Sequence, residues 1–207
     1  MTGKIRPFRG DEGSAIDKRP VSGRVRIGPL GIEGDEQADP VHHGGPDKAI
    51  HHYPFDNYPF WVDEIGDHPL LAAPGGFGEN ISTTRLGEDE MLIGDKLRLG
   101  TALVEISQGR QPCWKIEHRF GHKGMMAWII ETGRCGWYYR VLEPGTVEEG
   151  DPITLVERGH EGWTVAWALR LAMLGDAKHD RNWLEAMVDL PALAEPWKAR
   201  ARKRLGR

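Results

Sequence analysis

Residues 96–107, KLRLGTALVEIS, contain the pattern that decides the fold. Apolar and polar side chains alternate along this stretch, as on a β-strand with one buried face. The alternating apolar positions before Gly100 are odd-numbered, and those after it are even-numbered. Because one extra residue turns the side chains of a strand to the opposite face, we expect a turn or a bulge at residues 100–101. These apolar positions are Leu97, Leu99, Ala102, Val104 and Ile106.

Similar patterns extend on both sides of this stretch. Up to about residue 158, short apolar runs are separated by glycine, proline and aspartate, which is typical of a β-barrel or a β-sandwich. A later strand at residues 153–156 follows a Gly-Asp pair, as the first strand does. We therefore expect a mainly β domain over residues 1–158, with a few peripheral helices. One of these is expected at residues 56–65, where Gly66 would end it.

After residue 158 the pattern becomes helical. Thr164 can cap a helix that runs to Leu174, and residues 180–188 carry an apolar stripe of helical period. A third helix is expected from about Pro191 onward. Short helices bury little surface alone, so we expect a three-helix module over residues 159–207 that packs against the β domain.

Composition narrows the class of protein. The net charge of −4 argues against nucleic acid as a partner. No apolar run is long enough to span a bilayer, and no apolar stretch follows the first positive charges, so neither a membrane span nor a secretory signal is expected. Two cysteines are too few for a disulfide framework or a four-cysteine zinc site. These features predict a cytoplasmic protein with reduced thiols.

Cys113 is the residue most suited to chemistry. It lies in the segment QGRQPCWK, residues 108–115, between Arg110 and Lys115. Cationic neighbours favour the thiolate, which is both the nucleophile and the ligand for soft metals. The competing interpretation is a small buried hydrophobic residue, which is the commoner role of a cytosolic cysteine. That interpretation suits Cys135 better, and a Cys113–Cys135 redox pair is the less favoured alternative.

Two glycine-rich segments have a less specific pattern. His42, His43, His51 and His52 surround a Gly-Gly turn but lack the spacing of a known zinc motif, so an anion held by backbone N–H groups and one histidine is favoured over a metal. Residues 75–80, GGFGEN, match no phosphate-binding motif. They indicate turns, with a phosphate cradle as the open alternative.

Seven segments together resemble one family, because they occur in its order and at its spacing. The resemblance is to the MOSC family, named for the C-terminal domain of molybdenum-cofactor sulfurases, and within it to the bacterial branch that confers hydroxylaminopurine resistance. The helices at the C-terminus resemble the three-helix module of that branch. The matching segments are residues 14–18, 31–39, 43–49, 77–81, 93–95, 110–115 and 136–142.

The resemblance implies a MOSC-type β-barrel whose pocket holds a molybdenum cofactor of the molybdopterin type. It makes Cys113 the catalytic residue and the protein ligand to molybdenum. The contacts that it implies to the pterin phosphate and pyran are Arg110, Lys115, Asn80, His43 and Lys18. One departure is Gly109, where the family usually has proline, and a glycine there could loosen the loop that aims Arg110.

The implied activity is reduction of N-hydroxylated compounds, such as hydroxylaminopurine or hydroxylamines, to the amine. The cofactor supplies the redox chemistry and the protein supplies placement and electrostatics. Because the sequence carries no flavin, haem or iron–sulfur motif, we expect electrons from a separate flavoprotein or ferredoxin-type reductase.

One alternative function stays open, and another is less favoured. Cys113 could instead carry a persulfide in a sulfur-carrier or cofactor-binding module. A pyridoxal-phosphate-associated role comes last, because nothing in the chain supplies a Schiff-base context. The basic tail is either a solvated helix face or a docking site for an acidic partner. Its cations are Lys198, Arg200, Arg202, Lys203, Arg204 and Arg207.

Overall fold

The computed structural model describes residues 1–39 and 44–207. Within these ranges the chain forms twelve β-strands and six α-helices. The strands are β1 (Thr2–Gly3), β2 (Arg6–Arg9), β3 (Glu12–Ser14), β4 (Lys18–Arg19), β5 (Val25–Gly28), β6 (Gly31–Ile32), β7 (Ile50–His52), β8 (Lys96–Leu99), β9 (Ala102–Gly109), β10 (Trp137–Glu143), β11 (Gly145–Val147) and β12 (Ile153–Glu157). The helices are α1 (Tyr58–Ile65), α2 (Trp114–Phe120), α3 (Met125–Thr132), α4 (Val165–Leu174), α5 (Arg181–Asp189) and α6 (Glu195–Arg204).

The largest sheet has five antiparallel strands in the order β12-β8-β9-β10-β7. At its centre is the β8–β9 hairpin, which pairs Leu97 with Val104 and Leu99 with Ala102. The hairpin turns at Gly100, where φ is +57° and a Cβ atom would come 2.2 Å from the carbonyl oxygen of Thr146. The turn predicted from the change of parity is therefore confirmed, and every apolar position that defined the pattern is buried.

Three smaller sheets complete the β structure. Strands β11, β5 and β6 form one of them, while β1 pairs with β4 and β2 pairs with β3. The sheet-rich core expected from the sequence is confirmed. Among the strands that the structure describes, hydrogen bonding does not join the sheets into a closed barrel.

The helix predicted at residues 56–65 is confirmed as α1, and Gly66 follows it. Helices α2 and α3 were not predicted individually. Each is only seven or eight residues long, and each ends at a glycine in the left-handed conformation, Gly121 and Gly133. Such short helices have too few turns for a clear apolar period.

The three helices expected after residue 158 are present. The Thr164 hydroxyl accepts a hydrogen bond from the Trp167 N–H at 3.1 Å and caps α4 as predicted. The start expected near Pro191 is wrong by four residues, because a turn precedes α6 and the Ala194 N–H donates to the Ser107 carbonyl on β9. Side chains of α4, α5 and α6 belong to the same hydrophobic core as the sheet. The domain division at residue 158 stays a prediction.

Within the described ranges, no helix combines the length and the apolar character needed to cross a membrane.

Candidate functional site

A cavity of about 90 Å³ lies between strand β7 and three loops. These are the β3–β4 loop, the loop after residue 76 and the β9–α2 loop. The cavity brings together most of the site residues predicted from the sequence. Those that line it are Lys18, Asn80, Arg110, Cys113 and Lys115. The predicted contact His43 lies outside the described residues, as does His42.

The two cysteines have different environments. Cys113 is half-buried at the N-cap of α2, where its carbonyl oxygen accepts the Ile116 N–H at 3.0 Å. Cys135 is 1% exposed, and burial raises the pKa of its thiol well above the ordinary value. Its sulfur donates to the Gly136 carbonyl. Of the two, Cys113 therefore has the thiol that a ligand can reach.

Arg110 is held by strand β10. Its backbone N–H donates to the Gly136 carbonyl at 3.1 Å. Burial raises the pKa of the Tyr138 phenol, and the charge of Arg110 opposes that shift. In place of the looseness expected at Gly109, the structure shows close packing. A Cβ atom at Gly109 would come 3.1 Å from the Cys135 sulfur and 3.2 Å from the Trp197 ring.

Arg110 and Lys115 are two buried cations in the cavity wall. Arg110 is 7% exposed and Lys115 is 9% exposed. The Lys115 ammonium has one long hydrogen bond, 3.4 Å to the Gly13 carbonyl, and lies 6.0 Å from the Trp114 ring centre. Neither cation forms an ion pair with a carboxylate of the described residues. Because an unpaired buried charge is costly, this wall suits an anionic ligand.

Lys18 and Asn80, in contrast, have their hydrogen-bonding groups engaged. Lys18 pairs with Asp35, and burial lowers the pKa of Lys18 while the charge of Asp35 opposes that shift. Asn80 donates to Asp35 at 2.8 Å and to the Met1 carbonyl at 3.1 Å, and its amide oxygen accepts the His51 N–H at 3.0 Å. Both residues organise the wall, and direct contact with a cofactor stays a prediction for each.

His51 and Tyr138 also line the cavity. The sequence named His51 only as one of four histidines, one of which could hold an anion, and gave Tyr138 no individual role. The two residues are register partners on β7 and β10, with ring centres 5.1 Å apart. Burial, followed by the charge of Arg110, holds the pKa of His51 well below 6.5, so the imidazole is neutral. Its buried Nε2 has no hydrogen-bond partner among the described residues. The signal available in the sequence was that His51 follows the matched segment 43–49 and that Tyr138 lies within the matched segment 136–142.

His52 is structural, as expected for most of the histidines. Its ring lies 3.0 Å from the Tyr139 hydroxyl and 2.9 Å from the Thr83 hydroxyl, and burial lowers its pKa to about 3. Among the described residues, no group of three or more His, Cys, Asp and Glu side chains is placed to hold a metal ion. Within the described ranges, the cavity thus offers the Cys113 thiol for a metal, and no imidazole cluster accompanies it.

The glycine-rich loop at residues 75–80 is occupied by its own carboxylate. Fully buried Glu79 accepts the Gly75 N–H at 2.6 Å and the Phe77 N–H at 3.0 Å. The Tyr58 hydroxyl donates to Glu79 and accepts the Gly76 N–H. These amides are not free to bind phosphate, so the prediction of turns holds and the phosphate cradle does not.

Comparison with known proteins gives a consistent match. The family model described as "MOSC domain" matches residues 39–154. Protein YiiM of Escherichia coli is 36% identical over 197 residues, which cover 90% of this chain and 88% of YiiM. A protein named "Reductase" from Gibberella moniliformis is 40% identical over 157 residues, 75% of this chain and 28% of that protein. The crystal structure of YiiM from Geobacillus stearothermophilus aligns with a TM-score of 0.81 at 32% identity, covering 99% of this chain and 95% of that one.

Proposed function

The chain belongs to the MOSC domain family, in its YiiM-like branch, and on this premise we propose that it is a molybdenum-cofactor-dependent reductase of N-hydroxylated compounds. One observation carries the proposal. A single cavity contains a half-buried thiol, Cys113, together with two buried cations, Arg110 and Lys115, that have no carboxylate partner among the described residues.

The donor set fits such a cofactor. A pterin-type cofactor brings dithiolene sulfurs and a phosphate, so the protein needs to add one soft ligand and a cationic contact. Cys113 would be the molybdenum ligand, and Arg110 and Lys115 would hold the phosphate. The cavity volume of about 90 Å³ is below the roughly 300–1,000 Å³ typical of ligand pockets. It therefore accommodates part of the cofactor, and the rest would extend beyond its mouth.

The reaction needs two electrons and two protons for each molecule of substrate. The N–O bond of R–NH–OH breaks, the nitrogen leaves as the amine, and the oxygen leaves as water. When bound, the molybdenum centre would supply the two-electron chemistry. The protein's part would be to hold the anionic end of the cofactor and to keep a neutral imidazole, His51, in the wall.

The electron donor is proposed to be a separate flavoprotein or ferredoxin-type reductase. The fungal relative named "Reductase" supports reductase chemistry, and 72% of that protein lies outside the stretch that matches this chain. A chain of this size without a second redox motif would need its electrons from another protein.

Metal analysis combined with a cysteine exchange tests the proposal. We expect protein from a cofactor-competent host to contain molybdenum by mass spectrometry and to reduce hydroxylaminopurine with a chemical reductant. Cys113→Ser should abolish this activity with little effect on folding, and Cys135→Ser should be nearly neutral. Full activity in Cys113→Ser would refute the role of that thiol. Absence of molybdenum with a persulfide on Cys113 would instead favour the sulfur-carrier alternative.

A further inference from the structure

The start of α6 runs beside the chain that leads to Cys113. Three contacts connect them in the same order along both segments. The Ala194 N–H donates to the Ser107 carbonyl at 3.0 Å. The Trp197 ring packs against Gly109, 3.2 Å from where a Cβ atom would be. The Arg200 guanidinium donates to the Gln111 amide oxygen at 3.0 Å.

These contacts reach to within two residues of the thiol. After Gln111 come Pro112, which is buried, and then Cys113. Proline fixes its own φ and restricts the residue before it, so the conformation at Gln111 is transmitted to Cys113 with little freedom. Helix α6 is itself held in the core, because Trp197 is 2% exposed and Ala201 is fully buried.

We propose that α6 holds the Cys113 loop in place and that Arg200 is a positioning residue, which sets the exposure of the Cys113 thiol through its hydrogen bond to Gln111. The C-terminal helices then have a role at the site in addition to covering the sheet. Nothing in this proposal depends on which group the cavity binds.

Arg202 provides a matched control on the same helix. It is also an arginine on α6, but it pairs with Glu195 at 2.5 Å, on the other side of the helix from Gln111. Replacing Arg202 by alanine removes the same side chain and the same charge without affecting the loop contact. A general effect of losing an α6 arginine would appear in both variants.

The test measures how fast iodoacetamide alkylates Cys113 in the metal-free protein, with the modified site identified by mass spectrometry. Cys135 is 1% exposed and should react much more slowly. Loss of one hydrogen bond shifts the balance between held and released loop by about 2- to 10-fold, so Arg200→Ala should raise the alkylation rate by that factor. Gln111→Ala should give the same increase, and Arg202→Ala should match the wild type.

The double variant makes the test specific. If Arg200 acts through Gln111, Gln111→Ala combined with Arg200→Ala should react no faster than either single variant. The proposal would be overturned if the two rate increases multiplied in the double variant. It would also be overturned if Arg200→Ala reacted at the same rate as Arg202→Ala. Gln111 is exposed, so its variant keeps the test valid even if Arg200→Ala folds poorly. The alkylation measurement needs no molybdenum. If the natural protein contains no molybdenum, the proposed reductase activity is refuted, whereas the alkylation rates still decide the role of Arg200.

Discussion

The Lys18 ammonium lies within hydrogen-bond distance of both carboxylate oxygens of Asp35, and the two side chains are 8% and 6% exposed. Asp35 also accepts the Gly3 N–H at 2.7 Å and the Asn80 amide at 2.8 Å. One carboxylate thus neutralises the cation and fixes the amide. Arg110 and Lys115, on the same cavity wall, have no such ion pair with a carboxylate of the described residues.

Asp35→Asn should lower the free energy of unfolding. The change leaves the buried Lys18 charge without its counter-ion, and breaking a buried pair from one side costs roughly 3–5 kcal/mol. Urea denaturation checks this value. Glu36→Gln is the control, because Glu36 pairs with Lys4 in solvent and its loss should have little effect. Equal effects of the two changes would show that burial of the Lys18 pair contributes nothing.

Arg110→Ala should lower the cofactor content of the protein without lowering its stability. It removes an unpaired buried charge, so the metal-free protein should be no less stable than the wild type. Molybdenum occupancy should fall more than turnover per bound molybdenum, since a lost charged hydrogen bond costs about 1.5–3 kcal/mol. Occupancy, rate and unfolding are measured on the same samples. Unchanged occupancy with slow turnover would assign Arg110 to catalysis or substrate orientation.

Asn80→Ala should lower both the stability of the protein and its cofactor content. Its amide joins Asp35, the Met1 carbonyl and the His51 N–H, so its loss leaves buried groups unpaired. Thermal unfolding and molybdenum content of the same preparation check this expectation. Reduced occupancy at unchanged stability would show instead that Asn80 contacts the cofactor directly.

Glu88 should make stability fall as pH rises. It is 5% exposed, and burial raises the pKa of its carboxyl from 4.5 to about 7. The folded state therefore binds the proton more tightly than the unfolded state. Stability from this group is complete below about pH 4.5 and is lost progressively up to about pH 7.

Glu88→Gln isolates the effect of this proton. The amide oxygen can still accept the Asn57 and Gly136 N–H groups that bond to Glu88. The difference in unfolding free energy between variant and wild type should change by about 3 kcal/mol between pH 4 and pH 8, in favour of the variant at high pH. A difference that stays constant with pH would contradict the raised pKa.

The sequence predicted the elements whose signals are local. The β8–β9 hairpin follows from alternation broken at Gly100, and α4 follows from the Thr164 cap. The site was predictable where a motif carried it, as for Cys113 and Arg110. His51 and Tyr138 became site residues only through the pairing of β7 with β10, which joins positions 87 residues apart. No local pattern encodes that pairing.

Packing also decided two questions that local patterns left open. Glycine-rich residues 75–80 predicted turns with a phosphate cradle as the alternative, and Glu79 fills the loop from within. Gly109 looked like a flexible substitute for proline, yet three side chains from distant elements pack on it. In both cases the deciding contact is made by a residue whose role is visible only after folding.

Docking of an acidic electron donor on α6 should be tested by reversing the charge of only some of its cations. Arg204 donates to the carbonyls of Ala172 and Gly175 at the end of α4, so reversing its charge would damage the fold. Lys198 and Lys203 form no hydrogen bond or ion pair with their ammonium groups in the part of the chain that the structure describes. They are the cations that a partner can use.

Lys198→Glu with Lys203→Glu should weaken turnover with reduced ferredoxin and leave turnover with reduced methyl viologen unchanged. The ferredoxin rate of the wild type should fall with salt, since screening acts over about 8–10 Å at physiological ionic strength. Arg26→Glu, on strand β5, makes the same charge change as either single lysine exchange and should leave both rates unchanged. Equal loss with both donors, or loss with neither, would refute docking at these lysines.

The fit of Trp197 against Gly109 has a consequence for sequence variation. A side chain at position 109 would need the space that the indole, the Cys135 sulfur and Val165 now fill. Proline at 109 would therefore require these neighbours, Trp197 among them, to shift by a few tenths of an ångström. Relatives with proline before the arginine should have smaller residues at one of the three facing positions, and an alignment of the family should show these sites changing together.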